Sequence, residues 1–338
     1  MRKINRALSF LGASSILLAM ILGCGGLADG PDWAKSRKIA GKEQRLSHIS
    51  GMVVDEKFAY VIMGGTIADQ NEGNSGVRKV SLETGAVTMI DDGIKNMPQS
   101  DYGGMAVDDK YLYWKGGGNI LRAAKEGGPP EPVVTENVGI GIDLSVDGEK
   151  VYWVNHGYYS PGQPATPKPI YSAAKKGGKS EIFADEQMVP HSLVADEAYV
   201  YWLTRSAVMK QAKAGGQAQA VYQIGDKEGL DELSQDADSL YFGYRGPGES
   251  RWALRKVAKS GGEPLTLVKS YGLQPAAIDE ESVYFFDENS MYKDALCKVS
   301  KNGGEVARLD VGYSSGVIAQ SKTLVYFAGG DDIWSFQK

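Results

Sequence analysis

Histidine and cysteine are scarce in this chain, with three and two copies in 338 residues. His48, His156 and His191 stand far apart, and none is paired at the short spacing of metal-ligand motifs, so no metal centre is legible along the chain. Positive charge is not concentrated either. The 37 lysines and arginines are outnumbered by 42 carboxylates and form no basic cluster, which excludes a phosphate-tracking nucleic-acid surface. There is no helical periodicity beyond a turn or two and no sign of a second domain.

What is present is a repeat. A Val/Leu-Tyr-Trp/Phe phrase recurs around Tyr113, Tyr152, Tyr201, Tyr241, Tyr284 and Tyr326 and, in the degenerate form Ala-Tyr-Val, around Tyr60, at intervals of 39 to 53 residues. Each of the first six tyrosines has an aspartate five residues before it (Asp55, Asp108, Asp147, Asp196, Asp236, Asp279), and Ser321 holds that place in the seventh copy. This spacing predicts a tight hairpin between strands A and B, with the carboxylate accepting hydrogen bonds from turn amides. A third strand follows, such as 120–125 or 254–259, and ends in Lys-x-Gly-Gly in five copies. Paired glycines allow the positive φ of a second hairpin, into a short strand D. Blades of four strands at this period predict an all-β fold, a β-propeller.

The ends of the repeat set the number of blades. The last copy supplies strands near 316–319, 324–327 and 333–336 and then stops, one strand short. Residues 37–42 precede the first strand A much as a strand D precedes it elsewhere. They are therefore expected to pair beside 333–336 and close a seven-bladed ring, removing its open edges. A six-bladed ring is the alternative, since the first copy is the most degenerate, with Gly85 alone in place of the Gly-Gly pair.

Residues 1–23 read as an export signal: Arg2, Lys3 and Arg6 precede an apolar run from Leu8 to Leu22 that is shorter than the ~20 residues of a spanning helix. Ile21-Leu22-Gly23-Cys24 resembles the lipobox of bacterial lipoproteins, which implies lipidation of Cys24. Gly25 after the cysteine, by the same resemblance, implies the outer membrane of the envelope. Residues 24–35 are expected to act as a flexible tether and 36–338 as the propeller domain. Cleavage would remove three cations and no carboxylate, taking the net charge from −5 to −8. Cys297 would then be the one remaining thiol, unable to form an internal disulfide, and its alternating position suggests a small packed side chain.

Tyr-Trp at 113–114, 152–153 and 201–202, followed by a strand and Lys-x-Gly-Gly, resembles the YWTD repeat of lipoprotein-receptor propellers and the propeller half of TolB-like proteins. The Thr-Asp half of that motif is missing, and those families have six blades, so the likeness implies architecture alone. Counting back from the hairpin aspartates predicts a ring at the channel mouth of Ser50, Gly103, Ile142, His191, Asp231 and Gln274, with Tyr102, Asp143 and Glu232 beside it. The B–C loops differ most between copies, and they offer Tyr158, Tyr159, Arg245 and Trp252, side chains favoured at protein contacts. Two functions follow. The first is a non-catalytic envelope scaffold, without cofactor, binding a protein or other ligand through these loops. The alternative is a metal-dependent lyase or lactonase-like hydrolase at the channel mouth. Ser50, His191 and Asp231 could be set together on paper as a catalytic triad, but no motif supports that choice.

Overall fold

A computed structural model of the chain describes residues 36–63, 76–92, 104–139, 142–155, 167–225, 227–270, 273–289, 293–310 and 317–338. These form seven four-stranded antiparallel sheets. The first strands of the sheets are Ile49–Val54, Met105–Val107, Ile142–Val146, His191–Ala195, Gly229–Gln235, Leu273–Ile278 and Val317–Gln320. Each touches the next, and the last touches the first, so they line the centre of a closed seven-bladed propeller. Six blades take their strands A to D consecutively from the chain. The seventh takes A to C from its end (Val317–Gln320, Leu324–Gly329, Asp332–Gln337) and D from its start (Arg37–Ala40), with Arg37 opposite Ser335 and Ala40 opposite Ile333. The closure expected from the strand count is thus present.

Alternation along each strand B buries one residue toward each neighbouring blade. Tyr60, Tyr113, Tyr152, Tyr201, Tyr241 and Tyr284 are all at most 2% exposed and lie in separate apolar clusters between blades. The tryptophans of the Tyr-Trp pairs are fully buried and spend their indole N–H on the preceding blade: Trp114 on Asp91 (3.1 Å), Trp153 on the Asn137 carbonyl (2.9 Å) and Trp202 on Gln187 (3.1 Å). Cys297 is fully buried in one of these clusters, as its alternating position suggested.

The aspartate does more than the hairpin reading assigns to it. One oxygen of Asp55 accepts the N–H groups of Lys57 and Phe58, both at 2.9 Å. The other accepts the Tyr60 hydroxyl at 3.1 Å and pairs with Lys125 of the next blade at 2.9 Å. The same latch joins Asp108 to Lys175, Asp147 to Lys213, Asp196 to Lys259 (2.8 Å), Asp236 to Lys301 (2.6 Å) and, more loosely, Asp279 to Lys338 (3.9 Å). The first five of these lysines are the ones that open the Lys-x-Gly-Gly hairpins, and Lys338 follows strand C of blade seven in the same place, so a lysine at the foot of one blade grips the turn of the blade before it.

Between blades seven and one the latch is absent on both sides. Ser321 stands where the aspartate would be, and Leu82 where the lysine would be. Leu82 is instead buried in the cluster that holds Tyr326, Ile333, Ile39 and Ala40. Loss of both charges together leaves neither one buried without a partner. The closing strand supplies the missing tie, since the Arg37 guanidinium donates to the carbonyls of Leu82 and Glu83. It also explains the lone glycine of blade one. A Cβ on Gly85, at φ 72°, would lie 2.2 Å from the carbonyl oxygen of Ile39.

The latches make stability depend on acid. Burial works to raise the pKa of each latch aspartate, but the lysine and the turn amides, joined at Asp108, Asp236 and Asp279 by the tyrosine hydroxyl, outweigh it, and all six lie below the ordinary value, with Asp236 held at about 2. A depressed carboxylate contributes stability that is complete above its unfolded pKa of about 4 and is lost as pH falls through the folded value. The urea midpoint should therefore hold from neutral pH down to about 5 and fall steeply between about 4 and 2. A midpoint unchanged to pH 2 would exclude the latches as contributors.

Candidate functional site

The two faces of the ring are built differently. On one, every A–B turn is three residues long (55–57, 108–110, 147–149, 196–198, 236–238, 279–281, 321–323), and the C–D hairpins are nearly as uniform. On the other, the B–C connections run from two residues (117–118, 330–331) to stretches as long as 64–75 and 156–166. Uniform turns serve the ring; unequal loops on a rigid frame are where recognition is usually carried.

Those predicted residues that are described fall on this second face, with different outcomes. Tyr102, Tyr158 and Tyr159 lie outside the described residues, as does Gly103. Gln274 belongs to the inner strand Leu273–Ile278, and only its backbone is described. Ser50 is exposed, its hydroxyl 3.4 Å from the Ile62 carbonyl.

Asp143, His191, Asp231 and Glu232 come from three consecutive inner strands, and the geometry ties the three together. Strand A bulges at Ser192 and again at Glu232, each an extra residue against its strand B partner and each in the left-handed region, at φ 48° and 46°. The Asp143 carboxylate accepts the Ser192 N–H, and the Ser192 hydroxyl accepts the N–H of Leu233 at 2.7 Å. Ser192 is therefore the link that sequence reasoning missed. No local signal marks it, because a bulge is visible only against the partner strand.

His191 turns both ring nitrogens to backbone carbonyls: Nδ1 lies 3.0 Å from Val189 O and Nε2 3.4 Å from Leu230 O. The elbow before it is strained, with Glu186 at φ 53° and the β-branched Val189 at φ 52°. Asp231 accepts the Glu232 N–H at 3.1 Å. The Ser192 bonds and the His191–Leu230 contact join neighbouring inner strands, while the others are local. Among the described residues, no three His, Cys, Asp or Glu side chains are gathered as a metal site would need. The sequence also holds one motif-like string. Gly312-Tyr313-Ser314-Ser315-Gly316 has the spacing of a nucleophile elbow, lies outside the described residues, and leads into the strand Val317–Gln320, where that motif requires a helix.

Blade five carries the most developed described surface. Arg245 lies over the Trp252 ring, with its guanidinium carbon 4.8 Å from the centroid, so these two predicted residues do meet. Beside them is a group the sequence did not reveal. The Tyr244 hydroxyl donates to Glu228 at 2.6 Å, and Arg255 lies on the Tyr244 ring at 3.3 Å while donating to the Tyr222 hydroxyl at 3.2 Å. These interactions fix the flat side chains in place, so a partner would order few rotamers on binding.

A cavity of about 760 Å³ opens on the opposite face, where the turns of blades six, seven and one meet at the unlatched seam; Asp55, Asp279, Ser321, Lys322 and Lys338 are among its lining residues. None of the sequence-predicted site residues lines it.

No family model matches the chain, and no curated protein matches it. Solved structures do. The extracellular domain of a one-component system from B. thetaiotaomicron aligns at TM-score 0.65 and 11% identity, over 91% of this chain and 40% of that one. An oligogalacturonate lyase in complex with manganese aligns at 0.59 and 13%, over 78% and 82%. A nidogen/laminin complex aligns at 0.50 and 16%, over 70% and 89%. At such identities the shared property is the fold: this chain is similar to β-propellers of differing activity, and its architecture is that of a β-propeller repeat domain.

Proposed function

We propose that this protein is a non-catalytic binding scaffold of the bacterial cell envelope, lipid-anchored through Cys24, that engages a protein partner with its variable-loop face. The observation that carries this reading is the division of labour between faces: the latched hairpins are committed to the ring, while the loops are free to differ. The Arg245–Trp252 pair and its supporting Tyr244, Glu228 and Arg255 supply the rigid aromatic and arginine content that dominates protein contacts. The export signal and Cys24 support the placement, and Gly25 favours the outer membrane.

A photo-crosslinking residue at Arg205 or Arg245, on the loop face, should give a discrete adduct in intact cells, and one at Lys322, on the hairpin face, should not. Trp252→Ala should weaken the captured association by at least about tenfold, as expected for an interface anchor. Adducts that arise equally from both faces, or from neither, would refute the reading.

A further inference from the structure

Resting on the reading that Cys24 carries lipid, we propose that the propeller sits with its hairpin face toward the anchoring bilayer and its variable loops directed away. The partner is then a soluble macromolecule, or one projecting from the membrane by at least the depth of the ring.

The direction follows from the closing strand. Arg37 pairs with Ser335, and Ser335 pairs with Tyr326. In blade two, Glu131 pairs with Arg122, and Arg122 with Tyr113. Arg37 thus holds the place of Glu131, the first residue of strand D after the Gly-Gly hairpin. The chain accordingly enters the ring on the hairpin face, where the other blades turn from C to D. That entry point is fixed by the Arg37 contacts to Leu82 and Glu83 of blade one and by Lys38, which pairs with Asp332 at 3.0 Å.

Chain length decides how far the lipid can be from that point. Residues 24–36 number thirteen. Fully extended they reach at most about 45 Å, and a chain of that length with no fixed structure has a root-mean-square span of about 20 Å. A six-residue strand such as Leu324–Gly329 is itself about 20 Å long. To bring the loop face to the bilayer, the tether would have to spend about 20 Å, its whole typical span, on climbing the depth of a blade before it reached the lipid, which restricts its conformations. Leaving directly from the hairpin rim needs no such ordering.

The test uses the lipidated protein in vesicles carrying an acceptor dye on their headgroups. A donor dye is placed by an unnatural amino acid at Lys322 in a blade-seven turn or at Arg205 in the blade-four loop 204–206; both positions are exposed. Energy transfer should be severalfold greater from Lys322. Equal transfer, or more from Arg205, with lipid on Cys24 verified by mass spectrometry, would overturn the orientation alone. A Cys24 that carries no lipid in the cell would overturn the anchoring reading, and the orientation with it.

Discussion

A chain beginning at Gly41 is expected to lose the native ring. It lacks Arg37–Ala40, the fourth strand of blade seven, and with them Ile39 and Ala40, which are 8% and 2% exposed in the seam cluster. Removing a buried isoleucine alone costs about 2–5 kcal/mol. The truncation also frees the edge of strand Asp332–Gln337, whose Ile333 and Phe336 lie in the core, and opens a row of unpaired backbone groups to other chains. The blades on either side have no ion-pair latch to hold them, because Ser321 and Leu82 replace it. Aggregation on size exclusion and loss of a cooperative melt are the expected result. Restoring Arg37–Ala40 behind Lys338 through a Gly-Gly hairpin, the connection that other blades use, should recover a cooperative melt. A Gly41-start chain that melts like the whole protein would show that closure matters little.

The second large effect is expected at the latches. Asp236→Ala removes the acceptor of four hydrogen bonds: from the amides of Asp238 and Ser239, from the Tyr241 hydroxyl, and from Lys301 at 2.6 Å. It strands a fully buried tyrosine hydroxyl and a lysine whose side chain is 14% exposed. Breaking a largely buried pair by deleting one partner costs about 3 kcal/mol or more, since the remaining charge stays desolvated. The seam provides the converse experiment. Leu82→Lys alone should destabilise by about 2 kcal/mol, because it puts an ammonium into an apolar cluster with no carboxylate opposite. Adding Ser321→Asp should return at least about 1 kcal/mol of that, measured as the coupling in a double-mutant cycle by urea denaturation. Strict additivity would mean that the two positions do not face each other as the other latch pairs do.

Much of this architecture is legible along the chain because a propeller is local. Six of the seven blades fold from about forty consecutive residues, so strands, hairpin aspartate and glycines recur at nearly fixed offsets and reinforce one another. The missing last strand is legible by the same count. The latch was also written in the sequence, in lysines that open five Lys-x-Gly-Gly turns and in a Leu82 and Ser321 that break the rule in the same interface. It stayed hidden because its partners belong to different repeats, 59 to 70 residues apart, from Lys338–Asp279 to Lys125–Asp55.

The channel mouth and the loop face were the reverse case. Counting back from the aspartates located the strands that bear His191 and Asp231, but it assumed an unbroken pleat. The bulges at Ser192 and Glu232 insert a residue, and a one-residue insertion turns the following side chains to the other face. Arg245 and Trp252 could be named as promising side chains, whereas Tyr222 joins from the last strand of the preceding blade, Glu228 from the connection after it, and Arg255 from three residues along Trp252's own strand.

The sequence by itself determined the repeating unit and pointed to seven copies closed by the N-terminal strand, with six as the alternative, because those depend on contacts within one repeat and on the count of repeats. The tertiary structure alone decided which blade grips which, where the grip lapses, on which face the chain enters, and which polar groups meet at the mouth. Those are relations between residues of different blades, and a periodic sequence repeats the same residue types in every blade without stating which copies touch.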